Sequence, residues 1–386
     1  MAVLRFGART GGQHRMSQAW AEKARRAFRR DPSNDGSNLP AITGVTTALR
    51  KEAYRFVPSE DPGFRYEGKW QPGADGVMIS KDPAARVTWT GPVAGAVPVL
   101  VCHPFSGVLR FDAPRHAGIV DNHSWFSFLR AFPLAPTLTD GPLRITAIGR
   151  NPLAQGREIV LAGIWLPAAA PSVTPHNPAA FEELQAQMVD NWMDNIRRSG
   201  GSVEAVTRQR QAAYLHRWRE TLPYAPPGSR VLDLGAGFLY EALFRFFRDS
   251  GFDYTAIDID RRAVDSNRAA GARFGFGAER FLHGRNTQLD VPDDSADLVF
   301  ASHCIEHSED LPKTFTELRR VLRPGGHIFF AVPTTVDTSA EHTYFFSHSD
   351  WIAFTEQQGF EVVNQHIGCT YPESGFDLLV VARLRS

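Results

Sequence analysis

The chain has 386 residues, 42 lysines and arginines against 42 aspartates and glutamates, so more than one domain is expected and a generally basic nucleic-acid binder is excluded. Its three cysteines, Cys102, Cys304 and Cys369, are odd in number and far apart, which excludes a disulfide framework or zinc cluster and fits a reducing compartment. No apolar run is long enough to span a membrane and no secretory signal opens the sequence, so a cytoplasmic location is expected.

Residues 1–52 form a basic arm: within its first 30 residues Arg5, Arg9, Arg15, Lys23, Arg25, Arg26, Arg29 and Arg30 stand against Glu22. It reads either as a solvated, partly disordered leader or as a segment that touches an anionic surface or resembles a transit peptide. From 53 to 167 the texture changes to short runs separated by Gly, Pro and Asp turns. Val87–Trp89, Val97–Val101, Val108–Phe111, Leu143–Ile148 and Ile159–Leu166 each suit a strand, and their number without a helical period predicts an antiparallel β-sandwich. His103, His116, His123, Trp125 and Phe126 are candidates for a sugar platform, because aromatic faces stack on pyranose rings and imidazoles bond hydroxyls. The competing reading places Trp70, Trp89, Trp125 and Trp165 in the core and the histidines in surface loops. The stretches Tyr66–Trp70, Val87–Gly91 and Gly156–Trp165 resemble the sandwich module attached to serine-type carbohydrate esterases, which would make this a glycan-binding module.

A Pro/Ala-rich linker at 168–175 leads into two expected helices. Asn177-Pro178 starts the first, with Phe181, Leu184, Met188, Trp192 and Ile196 at helical spacing, and Ser199-Gly200-Gly201-Ser202 ends it. The second runs from Val203 to about Thr221, with Val206, Ala213, Tyr214 and Trp218 inward. These helices up to 227 serve either as an inter-domain brace or as a cap over a ligand site.

From 228 onward the organising stretch is Val231-Leu232-Asp233-Leu234-Gly235-Ala236-Gly237, a buried strand running into a Gly-x-Gly turn and a helix through Leu243, Phe246 and Phe247. Glycines at such a turn let the backbone approach a ligand where a Cβ would collide. A second strand, Tyr254–Ile257, ends at Asp258, about 20 residues on, where a nucleotide-binding α/β unit places the acid that grips a ribose diol. A nucleoside-bearing cofactor is therefore expected. Tyr240 stands where a pyrophosphate-binding fingerprint has a further glycine, which disfavours a dinucleotide, and no triphosphate-binding loop is present.

Further on come Leu289–Phe300 (Leu-Asp-Val-Pro-Asp-Asp-Ser-Ala-Asp-Leu-Val-Phe), Ala301–His307 (Ala-Ser-His-Cys-Ile-Glu-His) and Leu318–Gly326 (Leu-Arg-Arg-Val-Leu-Arg-Pro-Gly-Gly). In this order and spacing the set resembles the class I S-adenosylmethionine-dependent methyltransferases of small-molecule and glycan type, over about residues 226–386. The resemblance implies a multidomain chain: the sandwich followed by a Rossmann-like α/β domain on a seven-stranded, mostly parallel sheet. It also implies S-adenosylmethionine as cofactor, with Asp233, Gly235 and Gly237 around its amino-acid portion, Asp258 on the ribose, and Ile259 beside the adenine. Arg285 stands where such enzymes carry an acid for the adenine amine, and Asn286 is the substitute; Leu239 replaces a common third glycine. Ser302 ends the fourth strand on the same rim. For a general base the candidates are His342, His307 and His303, since imidazole titrates near working pH; His348 is expected to cap a helix. Glu306, Glu309 and Asp310 are not spaced as a metal triad, and no metal site is read.

Three functions follow. The first is O-methylation of a sugar or glycan. The second is methylation of a small aromatic or amine metabolite, with the sandwich serving a homodimer. The third is a non-catalytic glycan-binding protein with a decayed methyltransferase half. No nucleic-acid partner is expected.

Overall fold

The computed structural model describes residues 53–168, apart from Arg115, Phe126, Pro136, Thr139 and Asp140, and 178–385, apart from Ser199, Gly201, Thr335, 337–341, Phe345, Ser347 and 372–374. The basic arm and Phe126 therefore lie outside the described residues. The chain divides into two compact units, Tyr54–Ala169 and Ala170–Ser386.

Among the described residues the first unit holds eleven strands: β1 (Tyr54–Pro58), β2 (Phe64–Glu67), β3 (Gln71–Pro72), β4 (Met78–Ser80), β5 (Arg86–Trp89), β6 (Val97–Cys102), β7 (Val108–Ala113), β8 (His116–Asp121), β9 (Phe128–Ala131), β10 (Leu143–Gly149) and β11 (Ile159–Pro167). They form a six-stranded sheet ordered β3-β4-β11-β6-β9, with β1 also on β11, and a five-stranded sheet ordered β2-β5-β10-β7-β8. Every pairing between these strands is antiparallel. One buried cluster draws Val87, Phe111 and Ile145 from one sheet and Leu100, Ile159, Leu161 and Ile164 from the other. β-branched and aromatic residues at alternate positions supply that face, which explains why these strands form where they do. Trp89 and Trp165 are core residues at 6% and 8% exposure, whereas Trp125 stands 44% exposed. His103, expected in a surface loop, is buried, because it follows β6, every residue of which is buried.

The second unit opens with α1 (Pro178–Arg198) and α2 (Val203–Glu220). The hydroxyl of Ser202 caps α2 by accepting from the Ala205 amide at 3.2 Å. Seven strands follow: β12 (Arg230–Leu234), β13 (Asp253–Asp258), β14 (Phe281–His283), β15 (Ala296–Ser302), β16 (Leu322–Pro333), β17 (Phe360–Tyr371) and β18 (Gly375–Leu384). Their order is β14-β13-β12-β15-β16-β18-β17. The first five pair in parallel, and β18 is antiparallel to both β16 and β17. Tyr371 closes β17 by pairing with Gly375.

Helices α3 (Glu241–Asp249), α4 (Arg261–Gly271), α5 (Leu311–Val321) and α6 (His348–Gln357) cover the sheet. Trp218 of α2 joins Leu243, Phe244 and Phe247 of α3 and Val264 of α4 over Tyr254, Phe300 and Phe329. Trp218 stacks on Phe300 with ring centres 3.9 Å apart and is fully buried. A ring so enclosed contributes about 1.5–3 kcal/mol by burial, plus a further ~0.5–1.5 kcal/mol from ring geometry. The opposite core sets Phe315 and Leu318 of α5 and Trp351 and Phe354 of α6 against Val299, Ile328 and Phe330. The chain after β12 turns toward β13 and that after β15 toward β16, so the order reverses between β12 and β15. Open parallel sheets bind ligands at the carboxyl edge of such a reversal. Among the described residues no helix is long and apolar enough to cross a membrane.

Candidate active site

A cleft of about 200 Å³ lies at that edge. Its walls include Gly235, Gly237 and Phe238 after β12, Asp258 and Ile259 at the end of β13, Arg285 and Asn286 beyond β14, and His303, Cys304 and His307 after β15. Phe181 and Gln185 of α1 also line it, so this helix caps the cleft.

The glycine loop is held from below. The Gly235 amide donates to the Ile257 carbonyl at 2.9 Å, and Gly235 has φ of 66°. A Cβ there would meet Cys304 at 2.7 Å, so only glycine fits. Gly237, with φ of 58°, would point a Cβ into open space. Asn267 of α4 latches the loop from both sides: its Oδ1 accepts from the Leu239 amide at 2.8 Å and its Nδ2 donates to the Gly237 carbonyl at 2.7 Å. Asp258 completes the frame, accepting from the Gly237 amide at 2.7 Å on Oδ2 and from the Asp260 amide at 2.7 Å on Oδ1. Its burial outweighs these bonds and raises its pKa.

Asp233 and Ser302 stand apart from the other expected cofactor residues, since neither lines the cleft. The Asp233 carboxyl is fully buried and accepts from the Tyr214 hydroxyl at 2.8 Å and the Tyr254 hydroxyl at 2.6 Å. Desolvation pushes its pKa up to about 8 despite both bonds. It is a strut beneath the loop, and Tyr214 belongs to that strut. Above its unfolded value of 3.8 and below about 8, the folded state keeps a proton that the unfolded chain has released. Stability should therefore fall as pH rises through that window, by up to ~1.4 kcal/mol per pH unit for one proton. In Asp233→Asn this slope should be shallower by one proton's worth, as checked by urea unfolding at about pH 5 and about pH 7. An unchanged slope would place the proton elsewhere.

Ser302 accepts from Arg217, a fully buried guanidinium on α2 that also pairs with Asp377 of β18. Next to it, His303 has φ of 52°, a conformation rare outside glycine and costly unless the surroundings impose it. Here they do: the His303 amide donates to the Ala331 carbonyl at 2.8 Å, Nδ1 lies 3.1 Å from Glu306 Oε1, and Nε2 lies 3.2 Å from Asp377 Oδ2. Burial disfavours the charged ring, but the two carboxylates prevail and raise its pKa. His303 thus sits on the rim with a carboxylate near each ring nitrogen and the Arg217 guanidinium 3.2 Å from Nε2. The His307 and His342 rings pack 4.8 Å apart, and of these two only His307 lines the cleft. Arg285 pairs with Glu309 at 3.3 Å, leaving Asn286 as the amide on that wall. His348 is the first residue of α6.

Several functional positions were not evident from sequence. Asn267, Arg217 and Gln185 all lie within helices, where their residue types carry no motif, and Phe181 was read only as part of an apolar helix face.

Residues 206–374 match the family model described as a methyltransferase domain. Over 105 residues the chain is 36% identical to malonyl-[acyl-carrier protein] O-methyltransferase of Serratia marcescens, covering 27% of this chain and 38% of that protein. Over 113 residues it is 34% identical to dimethylglycine N-methyltransferase of Parasynechococcus marenigrum, covering 29% of this chain and 40% of the relative. The chain thus spans about two fifths of the length of these curated relatives. Among solved structures, a 1,6-didemethyltoxoflavin-N1-methyltransferase of Burkholderia thailandensis superposes with a TM-score of 0.41 at 20% identity, over 59% of this chain and 96% of the other. The strand order, the glycine loop closed by Asp258 and the family match agree: residues 206–374 form a methyltransferase domain of the class I, S-adenosylmethionine-dependent kind.

Proposed function

We propose that the C-terminal unit transfers the methyl group of S-adenosylmethionine to a small acceptor at the rim made by His303 and His307, with His342 packed against His307. The observation that carries this reading is the pairing of an open Gly237 cradle with the buried Asp258 carboxylate that lines the cleft beside it. The residues fit the cofactor: Gly237 leaves room for its amino-acid portion, Asp258 offers lone pairs to the ribose hydroxyls, and Ile259 and Asn286 flank the place of the adenine. When bound, the sulfonium supplies an activated methyl group and leaves as a neutral thioether. The protein's share is alignment, exclusion of water and handling of the acceptor proton. Phe181 and Phe238 supply apolar lining to the cleft, and Phe238 is 46% exposed.

The named relatives methylate an oxygen in one case and a nitrogen in the other, so the domain type accommodates both. Of the two, an oxygen acceptor matches the histidine- and carboxylate-lined rim better, because a hydroxyl must lose its proton during transfer.

A second reading concerns the first unit. We read it as a β-sandwich that recruits a glycan, favoured by Trp125, whose exposed ring has the His123 ring edge-on at 5.1 Å. His103 and His123 pair in an isolated bridge, which sets the exposed Phe105 and Trp125 two residues beyond each.

Calorimetric titration with S-adenosylmethionine and S-adenosylhomocysteine tests the first reading, followed by a labelled-methyl screen of carboxylic acids, amines and sugars. Micromolar binding is expected, and its absence would sink the enzyme reading. A glycan array with wild type and Trp125→Ala tests the second, and equal signal from the two proteins would refute it.

A further inference from the structure

We propose that Glu306, His307 and His342 bind one divalent transition-metal ion beside the cleft. Glu306 and His307 belong to the short 3-10 turn Ile305–His307 after β15, and His342 follows β16. Their ligand atoms, one carboxylate oxygen and two imidazole nitrogens, all lie within 4.8 Å of one another. An acidic cluster would suit magnesium or calcium, whereas two imidazoles with one carboxylate suit zinc, manganese or ferrous iron.

Glu306 gives the independent observation. It is 4% exposed; Oε1 faces His303 Nδ1, and Oε2 makes no hydrogen bond. A buried carboxylate is costly unless something compensates its charge. His303 Nδ1 lies 3.1 Å from Oε1 as an ion pair, while His307 Nε2 is 4.0 Å from that oxygen. The latter separation is too long for a hydrogen bond; bonds of about 2.0–2.2 Å place tetrahedral neighbours roughly 3.3–3.6 Å apart, so an ion would draw the two ligands together by a few tenths of an ångström. His303, clamped between Glu306 and Asp377, then serves as an outer partner that orients the liganding carboxylate.

The other acids considered from sequence are engaged elsewhere. Glu309 accepts from the Thr287 hydroxyl at 2.6 Å and pairs with Arg285, and Asp310 caps α5 through the Lys313 amide at 3.0 Å. With three protein ligands, an ion here keeps positions open for water or an acceptor oxygen. Because His307 lines the cleft, the ion would hold an oxygen-bearing acceptor where the methyl group is delivered, a role that rests on the methyl-transfer reading.

The test uses the full chain, stripped with a chelator and titrated with Co²⁺ while visible d–d absorption is followed. One ion per chain is expected. His307→Ala and His342→Ala should each weaken binding by more than the about 10–100-fold that losing an outer partner costs, with circular dichroism confirming the fold. His366→Ala, an exposed site on β17, should leave it unchanged. Failure of the wild type to bind stoichiometrically, or full binding by the His307→Ala/His342→Ala double variant, overturns the site. S-adenosylmethionine calorimetry on the same preparation separates the two readings. Cofactor binding without Co²⁺ binding removes the metal site alone, and the reverse keeps the site and removes the methyl-transfer role.

Discussion

Asp258→Ala should weaken S-adenosylmethionine binding by at least about 100-fold. In the wild type the carboxylate has two tasks, and alanine removes both. It accepts from the Gly237 and Asp260 amides, which fixes the glycine loop against the end of β13, and it lines the cleft. A hydrogen bond to a charged group contributes about 1.5–3 kcal/mol, so losing two such contacts to a ribose is worth roughly 3 kcal/mol or more. Each ~1.4 kcal/mol is tenfold in affinity. Asp258→Asn is the sharper probe. Its amide oxygen can serve one backbone donor, but its NH₂ must then face the other, so it should fall between wild type and alanine. Calorimetry gives the affinities and circular dichroism establishes that the loop change leaves the fold intact. Wild-type affinity in Asp258→Ala would mean that the cleft does not take the ribose at this carboxylate.

Asp258 was legible in the sequence because everything that identifies it is local: a strand, a glycine turn, a helix, a second strand and an acid at a fixed distance. The same holds for Gly235, whose positive φ and closeness to Cys304 are the physical content of the motif. Strands such as Val97–Cys102 were legible because a run of β-branched residues between turn signals has few other homes. β8 was missed: His-Ala-Gly-Ile-Val-Asp lacks such a run, and only its pairing with β7 holds it extended. The site's remaining parts depend on contacts that no window contains. Asp233 looked like a cofactor ligand because it ends the first strand of the motif, yet Tyr214 and Tyr254 occupy its oxygens. Glu306 read as one of three clustered acids, whereas folding sets it beside His342, which the chain delivers from beyond β16.

Arg217 shows the limit most clearly, and Arg217→Met should have the largest effect on stability of any single change considered. Helical spacing predicted the inward face of α2 through Tyr214 and Trp218, and Arg217 shares it, but nothing near it in sequence says what a buried guanidinium would meet. Its partners lie 85 and 160 positions away, Ser302 at the end of β15 and Asp377 on β18, with His303 Nε2 at 3.2 Å. Methionine fills much of the volume but strands Asp377, which is 1% exposed, without its main counter-charge. Breaking a buried pair in this way costs about 3–5 kcal/mol. At about 2–4 °C per kcal/mol for a unit of this size, the midpoint should fall by roughly 6–20 °C. Arg217→Lys should recover only part, because a single ammonium cannot reach Ser302 and Asp377 with the same planar fork. Arg217→Met/Asp377→Leu should recover more of it, since no orphaned carboxylate then remains beneath the sheet edge. The two doubly altered positions also flank His303, so the same series read by cofactor calorimetry separates stability from site geometry. If Arg217→Met lowers the midpoint by no more than an exposed substitution does, the network does not hold the ends of β15 and β18 together. If it unfolds the unit while the double variant folds and still binds cofactor, the pair sets which strands meet, and the rim histidines are held by the strands themselves.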